Sequence, residues 1–151
     1  MVANNLMKVG GKAGYLDTGA WSSKAIKEAK LFGNTQILAS SKDKNYCYIP
    51  KDYAIPFDLD YFHCTSNNTI FGTQIKAFPI TDVVTVCDMS SDIFSKKIDV
   101  SKFDLIYAGA QKNLGPAGTT LVIVKDEILG HTGREIPTML DYKTHIAKHS
   151  M

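Results

Sequence analysis

A chain of 151 residues, 44% hydrophobic and 21% charged, has the composition of an ordinary soluble globular protein and the length for one domain with a real core. Its formal charge of +2 gives no reason to expect nucleic acid or an acidic membrane surface, since both call for clustered Lys and Arg. No apolar run approaches a membrane span, and Met1 to Lys8 lacks the basic-then-apolar order of a signal peptide.

Gly10-Gly11-Lys12-Ala13-Gly14 matches neither a dinucleotide fingerprint nor a P-loop and reads as a turn. Ala13-Gly14-Tyr15-Leu16-Asp17 follows as a short strand, and Thr18-Gly19-Ala20-Trp21 as a loop. Ser22 or Ser23 can cap a helix over Lys24 to Phe32, with Ala25, Ile26, Ala29 and Phe32 on one apolar face and Gly33-Asn34 as its stop. Thr35 to Ala39 is the next strand. The polar stretch from Ser40 to Asp60 reads as loop, with an edge strand at Tyr46 to Ile49. Tyr61-Phe62-His63-Cys64-Thr65 and Val83-Val84-Thr85-Val86-Cys87 are strand-like runs, Phe103-Asp104-Leu105-Ile106-Tyr107 reads as a buried strand, and Thr119 to Val124 as a further strand. Asp126 to Leu129 begins a short helix closed by Gly130, and Asp141 to His149 can be helical. Short β-branched strands separated by helix and loop indicate an α/β architecture, a mostly parallel sheet with flanking helices.

Three cysteines, Cys47, Cys64 and Cys87, are an odd number at wide spacing, and Cys64 and Cys87 fall in strands as buried thiols. A reducing cytoplasm is the expected setting. The Asn67-Asn68-Thr69 sequon is then a chance match, because glycosylation needs a secretory route.

In such sheets function gathers at the carboxyl ends of the strands. There the sequence places a lysine, in Ala108-Gly109-Ala110-Gln111-Lys112-Asn113, and an aspartate, Asp88. A lysine facing a crevice past a buried strand is expected to be partly desolvated and nucleophilic. An amine and a carboxylate on one sheet edge suit pyridoxal phosphate, the lysine bonding to it and the aspartate keeping its pyridine nitrogen protonated. Trp21, Thr69 and Gln111 also follow strand-like runs. An indole in a Gly-Ala-Trp-Ser loop could cover a flat ring, or plug the core edge. Thr69 could donate its hydroxyl or serve turn chemistry, and Gln111 could bind phosphate or cap a turn. Ser90-Ser91 lacks the glycines of a nucleophile elbow and reads as a helix cap or a local hydrogen-bonding pair. His145 and His149, four apart, lack a third metal ligand, so no metal site is expected.

Several segments carry a resemblance: Cys87-Asp88-Met89-Ser90-Ser91, Asp99-Val100-Ser101-Lys102-Phe103 and Ala108-Gly109-Ala110-Gln111-Lys112-Asn113-Leu114-Gly115-Pro116-Ala117-Gly118. With Thr18-Gly19-Ala20-Trp21-Ser22, Asn67-Asn68-Thr69-Ile70-Phe71-Gly72 and Pro137-Thr138-Met139-Leu140-Asp141-Tyr142, they resemble the phosphoserine aminotransferase family over nearly the whole chain. The resemblance implies the large domain of a pyridoxal-phosphate transferase of the aspartate-aminotransferase fold type, working as a homodimer. It implies that Lys112 carries pyridoxal phosphate and shuttles protons, Asp88 binds the pyridinium nitrogen, and Trp21 stacks on the ring. Thr69 would contact the phenolic oxygen and Gln111 the phosphate. The implied reaction moves an amino group between glutamate and 3-phosphohydroxypyruvate, giving phosphoserine and 2-oxoglutarate in serine biosynthesis. Many bacterial members also accept a related phosphorylated substrate on the pyridoxine pathway.

Members of that family are longer, so residues 1–151 are expected to be the central part of the large domain, without the N-terminal segment and the C-terminal small domain. Arg134 is the only arginine, too few for a doubly acidic, phosphorylated substrate, and is read as a surface residue. The alternative is a non-catalytic α/β fragment or truncated paralogue that at most binds cofactor weakly. A third reading, a cysteine desulfurase of the same fold, would need a catalytic cysteine on a mobile loop, and none of the three cysteines fits.

Overall fold

In the computed structural model, which describes residues 1–150, the β-branched runs assemble into a six-stranded sheet. The strands are β1 (Lys12–Asp17), β2 (Asn34–Ser40), β3 (Tyr61–Thr65), β6 (Thr85–Asp88), β7 (Leu105–Gly109) and β8 (Thr120–Val124). Their order is β2-β1-β3-β6-β7-β8. Every neighbouring pair is parallel except β7 and β8, which run antiparallel from Leu105 opposite Val124 to Gly109 opposite Thr120. A small hairpin of β4 (Asn67–Asn68) and β5 (Thr73–Gln74) follows β3.

Alternation along the strands divides the core in two. Leu16, Phe62, Cys64, Cys87 and Ile106 point to one face, where Leu59, Ile75, Ile93 and Phe103 from the connections cover them. Ala13, Tyr15, Tyr61, Val86 and Leu105 point to the other, packed by α1 (Val2–Leu6), α2 (Ala20–Ala29) and Tyr142 of α4 (Tyr142–Ala147). Over part of this second face lies an open groove of about 1400 Å³ with Phe32, Leu114, Val122 and Ile146 among its lining.

The local elements depart from the sequence reading in instructive places. Helix α2 begins at Ala20, a turn before Lys24. Ser22 is therefore not outside the helix: within its first turn it accepts from the Thr18 and Gly19 N–H groups at 2.9 and 3.0 Å. Gly33 is no left-handed cap; a Cβ there would lie 2.6 Å from Met7 Sδ and 2.8 Å from the Gly11 carbonyl, so close approach requires the glycine. Tyr46 to Ile49 is not an edge strand. Asn45 and Tyr46 adopt positive φ of 49° and 59°, which puts the Tyr46 ring 4.8 Å from Phe71 and its hydroxyl 3.2 Å from Asp17 Oδ2. Asp126–Ile128 is a single 3₁₀ turn, and α4 ends at Ala147, capped at its start by Asp141 accepting from Lys143 N at 3.1 Å.

Arg134 also differs from expectation. It is half-buried, donating to the carbonyls of Met7 at 3.2 Å, Lys8 at 3.3 Å and Phe32 at 2.8 Å. Three carbonyl acceptors make it a clamp between segments rather than a surface side chain.

Candidate functional site

The parallel strands β1, β3, β6 and β7 end together, and a pocket of about 100 Å³ opens at their carboxyl edge. It is lined by Trp21, Thr65, Asn67, Asp88, Ser90, Ser91, Gln111 and Lys112.

Asp88 is the last residue of β6, half-buried and opposite Thr65 on one side and Tyr107 on the other. Its Oδ1 accepts from Ser90 N at 2.9 Å and Ser90 Oγ at 2.6 Å. Ser90 Oγ in turn accepts from Gly109 N at 3.0 Å. This chain ties the carboxylate to the backbone where β7 turns into α3 (Ala110–Asn113). Oδ2 has no hydrogen-bond partner among the described residues. Beside it Thr65 Oγ1 is buried and also unpartnered.

Lys112 lies in the single turn of α3, and its ammonium sits 4.5 Å from the centroid of the Trp21 ring. Lys24 Nζ is 4.6 Å from the same centroid. Trp21 is 37% exposed, so its ring presents a face to the pocket rather than plugging the core. Two cations within reach of one indole mark the ring as electron-rich and accessible. Lys112 itself is exposed, and the desolvated crevice expected for it is not closed by any described residue. Gln111 folds back over Gly109, where a Cβ would meet its Oε1 at 2.7 Å.

Of the five residues singled out from sequence, Trp21, Asp88, Gln111 and Lys112 share this pocket. Thr69 does not line it: it is exposed at the start of the turn joining β4 to β5. Thr65, Asn67, Ser90 and Ser91 line the pocket without having been proposed. Period-two counting from Tyr61 puts Thr65 on the same face as Asp88, and Asp-x-Ser at a strand end is the sequence mark of the Asp88–Ser90 turn. Asn67 and Ser91 brace each other, Asn67 Nδ2 donating to Ser91 Oγ and Ser91 Oγ to the Asn67 carbonyl, both at 3.0 Å. Beneath them Ser66 Oγ donates to the Asp88 carbonyl at 3.0 Å, and Gln74 Nε2 to Asp92 at 3.0 Å. The rim is thus braced by side-chain hydrogen bonds even though it is built from loops.

His145 Nε2 bonds the Met139 carbonyl at 3.0 Å, remote from this edge. Cys64 and Cys87 are buried free thiols with sulfurs 3.7 Å apart, and burial pushes the Cys87 thiol well above its usual range. Neither is a ready nucleophile.

The assembled groups are a primary amine, a carboxylate with one free oxygen, an accessible aromatic face and several hydroxyl and amide donors. Such a set can hold a flat, polar heteroaromatic ring and form a bond to a carbonyl carbon.

Comparison with known proteins agrees over almost the full length. A family model described as aminotransferase class-V matches residues 1–140. The phosphoserine aminotransferase of Flavobacterium johnsoniae is 71% identical over 151 residues, covering 100% of this chain and 42% of that protein. A solved phosphoserine aminotransferase from Bacillus circulans subsp. alkalophilus superposes with a TM-score of 0.94 at 47% identity, over 99% of this chain and 42% of the other. A PLP-bound phosphoserine aminotransferase from Trichomonas vaginalis gives 0.88 at 28%, over 99% and 44%. The chain spans less than half the length of these relatives.

Proposed function

The chain belongs to the aminotransferase class-V family, and from that premise we propose that it is the central part of a phosphoserine aminotransferase using pyridoxal phosphate. The observation that carries this reading is the convergence of Lys112, the free Asp88 oxygen and the Trp21 face in one pocket at the sheet edge. The 71% identity to an aminotransferase of that name supports the substrate assignment. The reaction is amino transfer between glutamate and 3-phosphohydroxypyruvate, giving 2-oxoglutarate and phosphoserine.

The donor set fits the cofactor. The unpartnered Thr65 hydroxyl and Asp88 Oδ2 stand side by side across β3 and β6, as a protonated ring nitrogen and its surroundings require. When bound, pyridoxal phosphate supplies the electron sink for bond breaking at the substrate Cα. In this reading Asp88 Oδ2 accepts from the pyridine N–H, Trp21 covers the ring, and Gln111 reaches the phosphate. Lys112 Nζ would hold the cofactor and, once displaced from it by the incoming amino group, would be free to take up and return the proton at the substrate Cα. For that, its ammonium must leave the Trp21 ring. Thr69 contacts the phenolic oxygen once the β4–β5 turn is brought against the ring.

Recognition of the doubly acidic substrate falls outside these residues. Arg134 is committed to three carbonyls, so the guanidinium groups that hold carboxylate and phosphate belong to an N-terminal segment, a small C-terminal domain or a partner subunit. A homodimer in the cytoplasm, and acceptance of a related substrate in pyridoxine synthesis, complete the proposal. The open groove on the second face favours one further reading for the 151 residues alone, a fragment that holds cofactor weakly without turnover.

The test is production of 2-oxoglutarate from glutamate and 3-phosphohydroxypyruvate. Turnover that disappears in Lys112→Ala supports the proposal. Turnover in the 151-residue chain alone would sink the fragment reading. Activity on cysteine with sulfur transfer instead would replace the substrate assignment.

A further inference from the structure

Beneath Asp88, on the helix-bearing face of the sheet, lie a buried histidine and a half-buried tyrosine that the roles above do not use. His63, at the centre of β3, is 2% exposed, with Nε2 3.0 Å from Tyr107 Oη. Tyr107 is the register partner of Asp88 across β6 and β7. Burial and the nearby Asp88 charge both keep the Tyr107 phenol protonated. The other imidazole nitrogen, Nδ1, is buried with no hydrogen-bond partner among the described residues. Tyr15, whose ring centroid is 5.0 Å from His63, has its hydroxyl paired with Tyr61 Oη at 2.6 Å.

Burial drives the His63 pKa down to about 4 against the opposing pull of Asp88, so the ring is neutral and carries one proton. If that proton sat on Nδ1, a buried N–H would face no acceptor. Tyr107 would then spend its proton on Nε2 and turn lone pairs toward the Asp88 carboxylate. With the proton on Nε2 both conflicts vanish. His63 donates to Tyr107, and Tyr107 turns its own O–H toward the carboxylate.

We propose that His63 and Tyr107 are positioning residues for Asp88: His63, protonated on Nε2, donates to Tyr107, which presents its hydroxyl proton to the carboxylate from below. Asp88 is then held by Ser90 on its loop side and by Tyr107 on its sheet side, leaving its pocket side to the ligand. The order of donors rests on the His63–Tyr107 bond, the unpartnered Nδ1 and the neutrality of the buried ring. Its consequence for the cofactor rests on the reading of Asp88 as the partner of the pyridine nitrogen.

The first arm of the test is ¹⁵N NMR of histidine-labelled protein without cofactor, near neutral pH. The expected spectrum shows His63 protonated at Nε2 and bare at Nδ1, and the reverse would overturn the proposal. This arm uses the unmutated protein and does not depend on any variant folding. The second arm adds ¹⁵N-labelled pyridoxal phosphate to Tyr107→Phe, His63→Leu and His63→Gln. Gln keeps an N–H donor near the Nε2 position and should retain the ring-nitrogen resonance and affinity of the unmutated protein. Phe and Leu should move that resonance toward its unprotonated position and weaken binding about tenfold. Equal behaviour of His63→Gln and His63→Leu would reduce His63 to a packing residue. If His63 shows the expected tautomer but the cofactor does not bind, the functional reading falls and the donor order stands.

Discussion

Asp88 shows how few side chains fix the chemistry of this edge. Its Oδ1 takes both donors of Ser90, so the free oxygen, Oδ2, is selected by a serine two residues away. Ser90→Ala removes the 2.6 Å hydroxyl bond to a charged group. We expect a loss of about tenfold in cofactor affinity, read by fluorescence titration, with little change in the far-ultraviolet circular dichroism. His63 carries a pH prediction. Its pKa falls from 6.5 when unfolded to about 4 when buried. Between those values the unfolded chain binds more protons, so stability is full above 6.5 and is lost as pH falls toward 4. The loss should approach about 3 kcal/mol. Denaturant melts at pH 7, 5.5 and 4.5 measure it, and His63→Gln should flatten that slope. Lys112, Asp88, Trp21 and Gln111 were legible in the sequence because strand ends and a specific motif coincide. Ser90 was legible as a local hydrogen-bonding residue but neither it nor Thr65 as part of the pocket, because a strand-end hydroxyl and an Asx-type turn look alike wherever they occur. The state of Lys112 was misread, since its desolvation depends on what covers it in space.

The strands were the most readable elements. Tyr61–Thr65 matches its apolar run to the residue, since a run buried on both faces has no other stable home. Boundaries failed where a single contact outweighed local pattern. Positive φ at Asn45 and Tyr46 ends any strand there and is retained by the Tyr46 contacts to Asp17 and Phe71. The α2 start moved because Ser22 caps from inside the helix. Gly33, read as a helix stop, is required by the Met7 and Gly11 approach. Gly33→Ala should therefore destabilise by about 1–3 kcal/mol through overpacking, seen as a lower midpoint in denaturant. A true left-handed cap would instead tolerate Asn at this position, and Gly33→Asn should be no better than Ala. Removing the α4 cap with Asp141→Ala should cost about 1 kcal/mol.

For the molecule as a whole, the sheet is covered unevenly. One face is closed by its own connections, while the other carries the open groove of about 1400 Å³. Among the described residues both edge strands are unpaired on their outer sides, and Ile37 of β2 is 50% exposed. An uncovered apolar face with open edges favours association. The 151-residue chain should bind a hydrophobic dye and sediment as more than a monomer, with dye binding reduced when flanking segments are present. A dye-silent monomer would mean that the groove closes on itself. The class of fold was readable from strand and helix alternation, but this imbalance was not, because no local pattern reports which face lacks a cover.

The central claim is that Lys112 bonds pyridoxal phosphate at this sheet edge. The most direct test is an absorbance scan of the purified protein with the cofactor, before and after borohydride, followed by peptide mapping. The account predicts a visible band that borohydride converts to a stable adduct on the Lys112 peptide, absent in Lys112→Ala. An adduct on another lysine, or none at Lys112 in a protein that binds the cofactor, would contradict it.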